Sequence, residues 1–141
     1  MILNTTHLNK AHKITISKLV GSSFSFIKSI QMGGIGSKRM IIDKVSPNLQ
    51  QYINKVSDIN YANIEMRPNG ILIYINKGLN SFTWIIPFYH LVIYKTNGLS
   101  IHAQGKYINF KNNNMFKDNK VFMSKLMDAK VKFDERYSFQ F

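Results

Sequence analysis

The fold of this chain is decided by NGILIYINKGLNSFTWIIPFYHLVIYKTNGLSIHAQGKYINF, residues 69–110. Short runs of β-branched and aromatic residues alternate there with turn signals, of which Asn97-Gly98 is typical of a tight hairpin. Together with the run just before it, this pattern predicts six strands: Ile59–Met66, Ile71–Ile75, Phe82–Ile86, Leu91–Lys95, Leu99–Ala103 and Tyr107–Phe110. Because their connections are too short for crossovers, neighbouring strands are expected to run antiparallel. The sequence therefore predicts an antiparallel meander.

Two helices are predicted beside the meander. Ser46-Pro47 is a favourable N-cap and first-turn pair, and it predicts a helix that continues to about Val56. Asp118 or Asn119 caps a second helix that continues to Lys130. The apolar residues of this second helix follow a period of about 3.6: Val121, Phe122, Leu126 and Ala129.

Both ends of the chain carry weaker patterns. Apolar spacing over residues 11–30 favours a helix, although Gly21 weakens a single long one. The alternation within residues 14–16 and 24–26 also fits a strand. The closing residues 137–141, YSFQF, alternate aromatic and polar side chains, which predicts a C-terminal strand.

A family resemblance rests on the order of three segments and a helix. The segments are NGILIYINKG (69–78), FTWIIPFYHLVIY (82–94) and LSIHAQGKYINF (99–110), and an amphipathic helix with Phe122 and Leu126 follows. This order resembles bacterial pleckstrin-homology-like (PH-like) domains over about residues 69–130. The resemblance implies a bent antiparallel sheet that a final helix closes at one end. Such domains usually have seven strands, and the resemblance places the missing strand at Met40–Val45.

The sequence thus predicts a single α+β domain of 141 residues, since this length suits one hydrophobic core. A basic, helical N-terminal extension is expected at residues 1–42, and the PH-like core at residues 43–130. A C-terminal strand or tail is expected at residues 131–141. With 45% apolar and 13% aromatic residues, the chain is too hydrophobic to be a disordered basic tail.

The positive charge is concentrated at the two ends of the sequence. The chain has 19 Lys and Arg against 7 Asp and Glu, a net charge of +12. Residues 1–42 contain six cations and no acid, residues 106–141 have an excess of four cations, and the middle is almost neutral. A flank without acidic residues attracts anions at long range, so an anionic partner is expected.

Catalytic and metal-binding sites are not predicted. The absence of cysteine excludes disulfides, a cysteine zinc site and a thiol nucleophile. If Asn97-Gly98 forms a two-residue hairpin, Ile93 faces His102, and His90 then lies on the opposite face of the sheet. The carboxylates are scattered, with no pair positioned for acid–base chemistry. We therefore expect no catalytic residue, no metal and no cofactor.

Two sets of residues are candidates for binding a partner. The glycine-rich segment 33–39, GGIGSKR, has Ser37 at the position where a P-loop has its lysine. It could nevertheless hold a phosphate. The candidate anion-binding residues are Lys10, Lys13, Lys18, Lys28, Ser37, Lys38 and Arg39. The candidate docking residues for a partner protein are Tyr137, Phe139 and Phe141.

The function expected from the sequence is that of a non-catalytic, cytoplasmic binding or adaptor protein. Its basic flanks would contact an anionic partner, either RNA or the ribosome or an anionic membrane surface. The alternatives are a basic protein associated with RNA or the ribosome, and an assembly subunit that binds another protein through an edge of its sheet. No small-molecule substrate is predicted. The longest apolar run, residues 84–94, is too short to span a bilayer.

Overall fold

A computed structural model describes residues 1–54 and 59–138 of the chain. The N-terminal part forms a short strand β1 (Ile2–Asn4), helix α1 (Lys10–Val20) and helix α2 (Phe26–Gln31). Asn9 caps α1, since its side chain accepts a hydrogen bond from the His12 backbone N–H at 2.9 Å. The predicted N-terminal helix is therefore confirmed as two helices. Gly21 separates them, because its φ of +88° ends the first helix.

Seven further strands and two further α-helices follow in the described part of the chain, together with two short 3₁₀ segments. The strands are β2 (Met40–Val45), β3 (Tyr61–Arg67), β4 (Gly70–Lys77), β5 (Asn80–Pro87), β6 (Val92–Thr96), β7 (Gly98–Ala103) and β8 (Lys106–Lys111). The helices are α3 (Asn114–Lys117) and α4 (Lys120–Ser138). The strands form one antiparallel sheet in the order β1-β5-β4-β3-β2-β8-β7-β6. The predicted α+β meander and the strand at Met40–Val45 are confirmed.

Strand β2 joins the two halves of the sheet. Its first residues pair with β3, as in Met40 opposite Ala62, and its last residues pair with β8, as in Val45 opposite Ile108. The register shifts between Ile42 and Lys44, where the strand carries a bulge or irregularity. Such an irregularity bends a strand. The inner faces of both halves consequently contribute to one hydrophobic core.

Helices cover the sheet on both sides. On the inner side, Phe122, Met123 and Leu126 of α4 are buried in the main core. On the outer side, Ile16 and Val20 of α1 pack in a second cluster that includes buried residues of β4 and β5. Because both faces of β4 and β5 are covered, consecutive residues of these strands are buried, with apolar runs such as Ile71–Ile73 and Trp84–Ile86, instead of alternating. Val121, which the helical pattern assigned to the apolar stripe, is exposed.

Two predictions of secondary structure are wrong. The segment after Ser46-Pro47 is a 3₁₀ helix, Pro47–Tyr52, because Ile53 already has extended dihedrals and the backbone N–H of Asn54 donates to the side chain of Asn60. The rest of that prediction lies outside the described residues. At the C-terminus, Tyr137 belongs to α4 and not to a strand, since its ring packs 4.6 Å from that of Phe133, one helical turn earlier. Phe139 and Phe141 lie outside the described residues.

The predicted register of the β6–β7 hairpin is wrong by one residue. Gly98 pairs with Thr96, so only Asn97 lies between paired positions, and Val92 instead of Ile93 faces His102. Gly98 allows this tight turn because its φ is +119°, and a Cβ there would lie 2.3 Å from the Phe110 carbonyl oxygen. His102 lies on the outer face, as the predicted hairpin also had it, but it shares that face with Val92, which the prediction placed on the core side. His90 lies in a 3₁₀ turn, Phe88–His90, and not in a strand.

Candidate functional site

Strand β6 is an edge of the sheet. It pairs with β7 on one side and stands at the end of the strand order. Four of its five residues are exposed, with Val92 and Tyr94 at 45% and 52%. An edge strand presents backbone N–H and C=O groups that another extended segment can pair with. This edge is therefore a surface at which the sheet can be extended by a further strand.

A groove lies between the β6–β7 hairpin and helices α3 and α4. The ammonium of Lys130 in α4 donates to the carbonyl oxygen of Phe88 at 2.7 Å, and the rings of Phe88 and Phe133 are 5.5 Å apart. These contacts fix α4 next to the segment that leads into β6. Towards the hairpin tip, the space between the helices and the sheet opens into a cavity of about 620 Å³.

The groove combines an apolar floor with a basic margin. The apolar side chains come from β7, α3 and α4: Leu99, Phe116, Met123, Met127 and Val131. Lys95, Lys117 and Lys120 line it together with a single acid, Asp128. Three ammonium groups against one carboxylate give the groove a positive field. An occupant with apolar side chains and carboxylates would match both properties.

The predicted anion-binding lysines are distributed over the N-terminal helices. Lys10, Lys13 and Lys18 are exposed on α1, and Lys28 is exposed on α2. The structure places the lysines of α1 together around a shallow surface depression that also contains Ile14. It does not place any of these lysines in the β6–α4 groove.

The glycine-rich segment is held by hydrogen bonds within the chain. Ser37 exchanges hydrogen bonds with Ile64: its N–H donates to the Ile64 carbonyl at 2.7 Å, and its Oγ accepts from the Ile64 N–H at 2.8 Å. The backbone N–H of Lys38 donates to the side chain of Asn119 at 2.8 Å. Gly33 and Gly34 also donate to backbone carbonyls. A phosphate at this segment would thus be held by the side chains of Lys38 and Arg39 and not by a cradle of these amides.

Arg39 itself has an aromatic partner. Its guanidinium carbon lies 4.3 Å from the ring centroid of Tyr61 in β3, a cation–π contact. Both Lys38 and Arg39 are exposed, so they remain open to an anion. They lie at the start of β2, apart from the lysines of α1.

A second, more polar cavity of about 820 Å³ lies between α1 and the outer face of the sheet. Lys13, Ser17, Arg67 and Tyr74 line it. Next to it, Glu65 accepts from Arg67 Nε at 2.6 Å and from the Tyr74 hydroxyl at 3.3 Å. Arg67 also donates to the Gly21 carbonyl at 3.2 Å, which ties the end of α1 to β3. This network therefore helps to hold the N-terminal helices on the sheet.

The network perturbs the ionisation of Tyr74. Burial of the phenol, followed by the negative charge of Glu65, raises the pKa of Tyr74 to about 12. The folded protein therefore keeps this proton over a pH range in which the unfolded chain loses it. The contribution of Tyr74 to stability is present below about pH 10 and is lost as the pH rises to about 12.

A comparison of two pH values tests this pKa. Between about pH 9 and about pH 11, the free energy of unfolding of the wild type should fall more than that of Tyr74→Phe. Urea denaturation followed by circular dichroism measures the difference, and the variant corrects for the other tyrosines. An equal fall in both proteins would contradict the raised pKa.

The outer face of the β6–β8 half carries a small cluster around His102. Its ring lies 4.8 Å from that of Tyr94 and 5.2 Å from that of Tyr107, and its Nε2 is 2.7 Å from Ser100 Oγ. The hydroxyl of Ser100 donates to the side-chain oxygen of Asn109. In a catalytic triad a carboxylate bonds to the second ring nitrogen of the histidine, whereas here Ser100 is buried and its hydroxyl is itself bonded to the amide of Asn109. The arrangement accounts for the histidine as a structural group between two tyrosines.

Sequence reasoning missed the groove although it identified the parts that surround it. The hairpin and the C-terminal helix were both predicted, but Lys95, Lys117 and Lys120 were not singled out. A signal existed in the basic residues of the flank 106–141, several of which precede the apolar stripe of α4. No cluster of three or more potential metal ligands occurs among residues 1–54 and 59–138.

The comparisons with known proteins gave no relative: no family model, no curated protein and no solved structure matches this chain. Within the part of the chain that the structure describes, no helix is long and apolar enough to cross a membrane.

Proposed function

We propose that this protein is a non-catalytic adaptor that binds an extended, acidic and apolar segment of a partner protein in the groove between β6 and α4. The observation that carries the proposal is an open sheet edge directly beside a groove with an apolar floor and a basic margin. This partner is a protein segment and not the RNA, ribosome or membrane surface expected from the sequence, and the lysines in contact with it would belong to β6 and to the C-terminal flank.

The mode of binding would be addition of a strand to the sheet. A segment paired with the five residues of β6 would extend over about 17 Å. Backbone hydrogen bonds to β6 would give affinity, and every second side chain would point towards the floor formed by Met123, Met127 and Val131. Met side chains adapt easily to differently shaped apolar residues, so the groove would accept related sequences.

The lysines would select acidic residues within that segment. Lys95 lies on β6, and Lys117 and Lys120 lie at the end of α3 and the start of α4, so charges flank the floor from two sides. Rim charges of this kind mainly raise the association rate and exclude partners of the wrong sign. Binding should therefore weaken with salt without being abolished, since the apolar contacts are not screened.

The PH-like resemblance supports an adaptor. From β2 to β8 the chain has seven strands and then a helix that covers one side of the core, in agreement with the order that the resemblance implies. That the fold is PH-like, and not only similar in the order of its strands and final helix, is part of the proposal. Folds of this kind serve in binding lipids, peptides and proteins, so the site and not the fold decides the function.

A peptide library gives the direct test. We expect random peptides of about twelve residues, selected on the immobilised full chain at physiological salt, to converge on sequences that alternate apolar and acidic residues. In NMR titrations with a selected peptide, the largest amide shifts should map to β6 and to the groove side of α4. Selected peptides without acidic residues, or shifts confined to other surfaces, would overturn the proposal.

Two charge-reversal variants separate this groove from the N-terminal lysines. Lys95→Glu combined with Lys117→Glu and Lys120→Glu should weaken binding of the selected peptide about tenfold or more, because it reverses the margin of the groove. The control combines Lys10→Glu, Lys13→Glu and Lys18→Glu on α1, which changes the net charge equally. A larger loss in the control would instead assign the function to the N-terminal flank.

A further inference from the structure

We infer that α2 attaches the protein to an anionic lipid surface by inserting Phe26, Ile27 and Ile30 among the lipids. These three large apolar side chains are 80%, 69% and 63% exposed. None of the six residues of α2 is buried, so the helix projects from the domain. Neighbouring exposed apolar residues of this size mark an interaction surface.

The exposure of these residues is built into the fold. Phe24 before α2 and Met32 after it pack against the main core. Ser25 caps the helix by accepting from the Lys28 N–H at 3.2 Å. At the other end, the ammonium of Lys125 in α4 donates to the Gly33 carbonyl at 3.1 Å. The helix is therefore anchored at both ends while its apolar side chains point outwards.

The stripe formed by these residues suits a shallow insertion. Ile30 lies four residues after Phe26 and three after Ile27, so the three side chains fall within an arc of about 100° on one side of the helix. A single short helix with an outward apolar face presents a convex surface. Lipids can rearrange around such a surface when the helix enters the membrane. A protein partner would instead need a concave surface. The depth that such a helix reaches corresponds to the boundary between headgroups and acyl chains.

The surrounding charge favours lipid with anionic headgroups. Lys28 lies on the same helix, and the whole segment of residues 1–42 has six cations and no acid. On the preceding helix, Lys10, Lys13 and Lys18 are exposed. Basic residues next to an amphipathic helix add electrostatic attraction to the burial of its apolar face. Attachment through α2 would therefore give a role to the acid-free positive charge of residues 1–42, which takes no part in the β6–α4 groove.

Membrane attachment through α2 would leave the groove open. Lys125, which contacts Gly33 just after α2, lies away from the apolar groove residues Met123, Met127 and Val131 of the same helix. The apolar side chains of α2 do not line the groove, so the two sites use different residues. An adaptor with this layout could hold a peptide segment close to a membrane.

Flotation with lipid vesicles tests the inference. The full chain should float with vesicles of phosphatidylcholine containing about one third phosphatidylglycerol, and not with phosphatidylcholine alone. Phe26→Ser combined with Ile27→Ser and Ile30→Ser should lower the partition coefficient about tenfold or more. The matched control is Leu79→Ser with Tyr89→Ser and Val121→Ser, which removes three exposed apolar residues elsewhere and should float like the wild type.

A fluorescence reporter distinguishes insertion from electrostatic contact. In Phe26→Trp, emission should shift to shorter wavelength when the anionic vesicles are added, whereas the buried Trp84 of the wild type should show no shift. Flotation without such a shift, or equal flotation of the α2 triple variant and the wild type, would overturn the inference. So would binding of the wild type to single-stranded RNA with no binding to the vesicles. Retained binding of the selected peptide by the α2 variant shows that it is folded.

Discussion

Phe110→Ala is expected to lower the free energy of unfolding by about 3–5 kcal/mol, the usual range for truncation of a buried phenylalanine. Phe110 is 1% exposed and lies in β8, opposite Ile42 on one side and Leu99 on the other. It therefore sits where β2 joins the two halves of the sheet. A cavity at this point removes contacts from both halves together, and urea denaturation would measure the loss.

Two control variants show whether the loss comes from the core. Phe110→Leu keeps an apolar side chain at the site and should cost clearly less than the alanine variant. Lys111→Ala changes the next residue of the same strand, which is exposed, and should alter stability by about 0.5 kcal/mol or less. If Phe110→Ala were no more destabilising than Lys111→Ala, the junction at β2 would not be part of the core.

The meander could be predicted because its signals are local. Runs such as Ile71–Ile75 contain β-branched residues between strong turn signals, and the structure has strands at all six predicted places. The strand at Met40–Val45 is less regular, and it was placed through the resemblance to a family. Its pairing with both β3 and β8 joins residues far apart in the sequence, so no local pattern could show it.

The errors arose where one residue decides the geometry. The hairpin register depends on Gly98, which pairs with Thr96 and places Val92 instead of Ile93 opposite His102. A period-two pattern does not reveal such a shift when both faces carry apolar residues. Similarly, YSFQF alternates like a strand, but Tyr137 follows Phe133 by four residues and continues a helix.

The binding surfaces were the least predictable part of the molecule. Ile27 and Ile30 fit a single helical stripe with Ile16 and Val20, which suggested a helix packed on the sheet. The break at Gly21 ends that helix and starts a new one, so Ile16 and Val20 are buried while Ile27 and Ile30 are exposed. The groove depends on which strand forms the edge of the sheet, and this follows from the complete strand order. The distribution of charge along the sequence predicts the sign of a partner's charge, but not which surface of the protein binds that partner.

Asn119→Leu is expected to lower the free energy of unfolding by about 1–3 kcal/mol, because it leaves partly buried backbone groups of Lys38 and Met115 without their partners. The side chain of Asn119 is 3% exposed, accepts from the Lys38 N–H at 2.8 Å, and donates to the carbonyls of Lys38 and Met115 at 3.3 and 2.9 Å. Asn119 lies just before α4 and was one of the two residues predicted to cap that helix. The contacts instead bind the N-terminal extension to the C-terminal helix.

Hydrogen exchange separates this role from a general loss of stability. In Asn119→Leu the Lys38 amide should exchange faster at low denaturant, before the core strands open, because its acceptor is gone. Asn119→Asp keeps an oxygen for the Lys38 N–H but loses both donors, so its stability should be intermediate. Asn114→Ala, at an exposed position in α3, should change little. If the Lys38 amide of Asn119→Leu were as well protected as that of the wild type, the contact with Asn119 would not be what holds the glycine-rich segment beside the C-terminal helix.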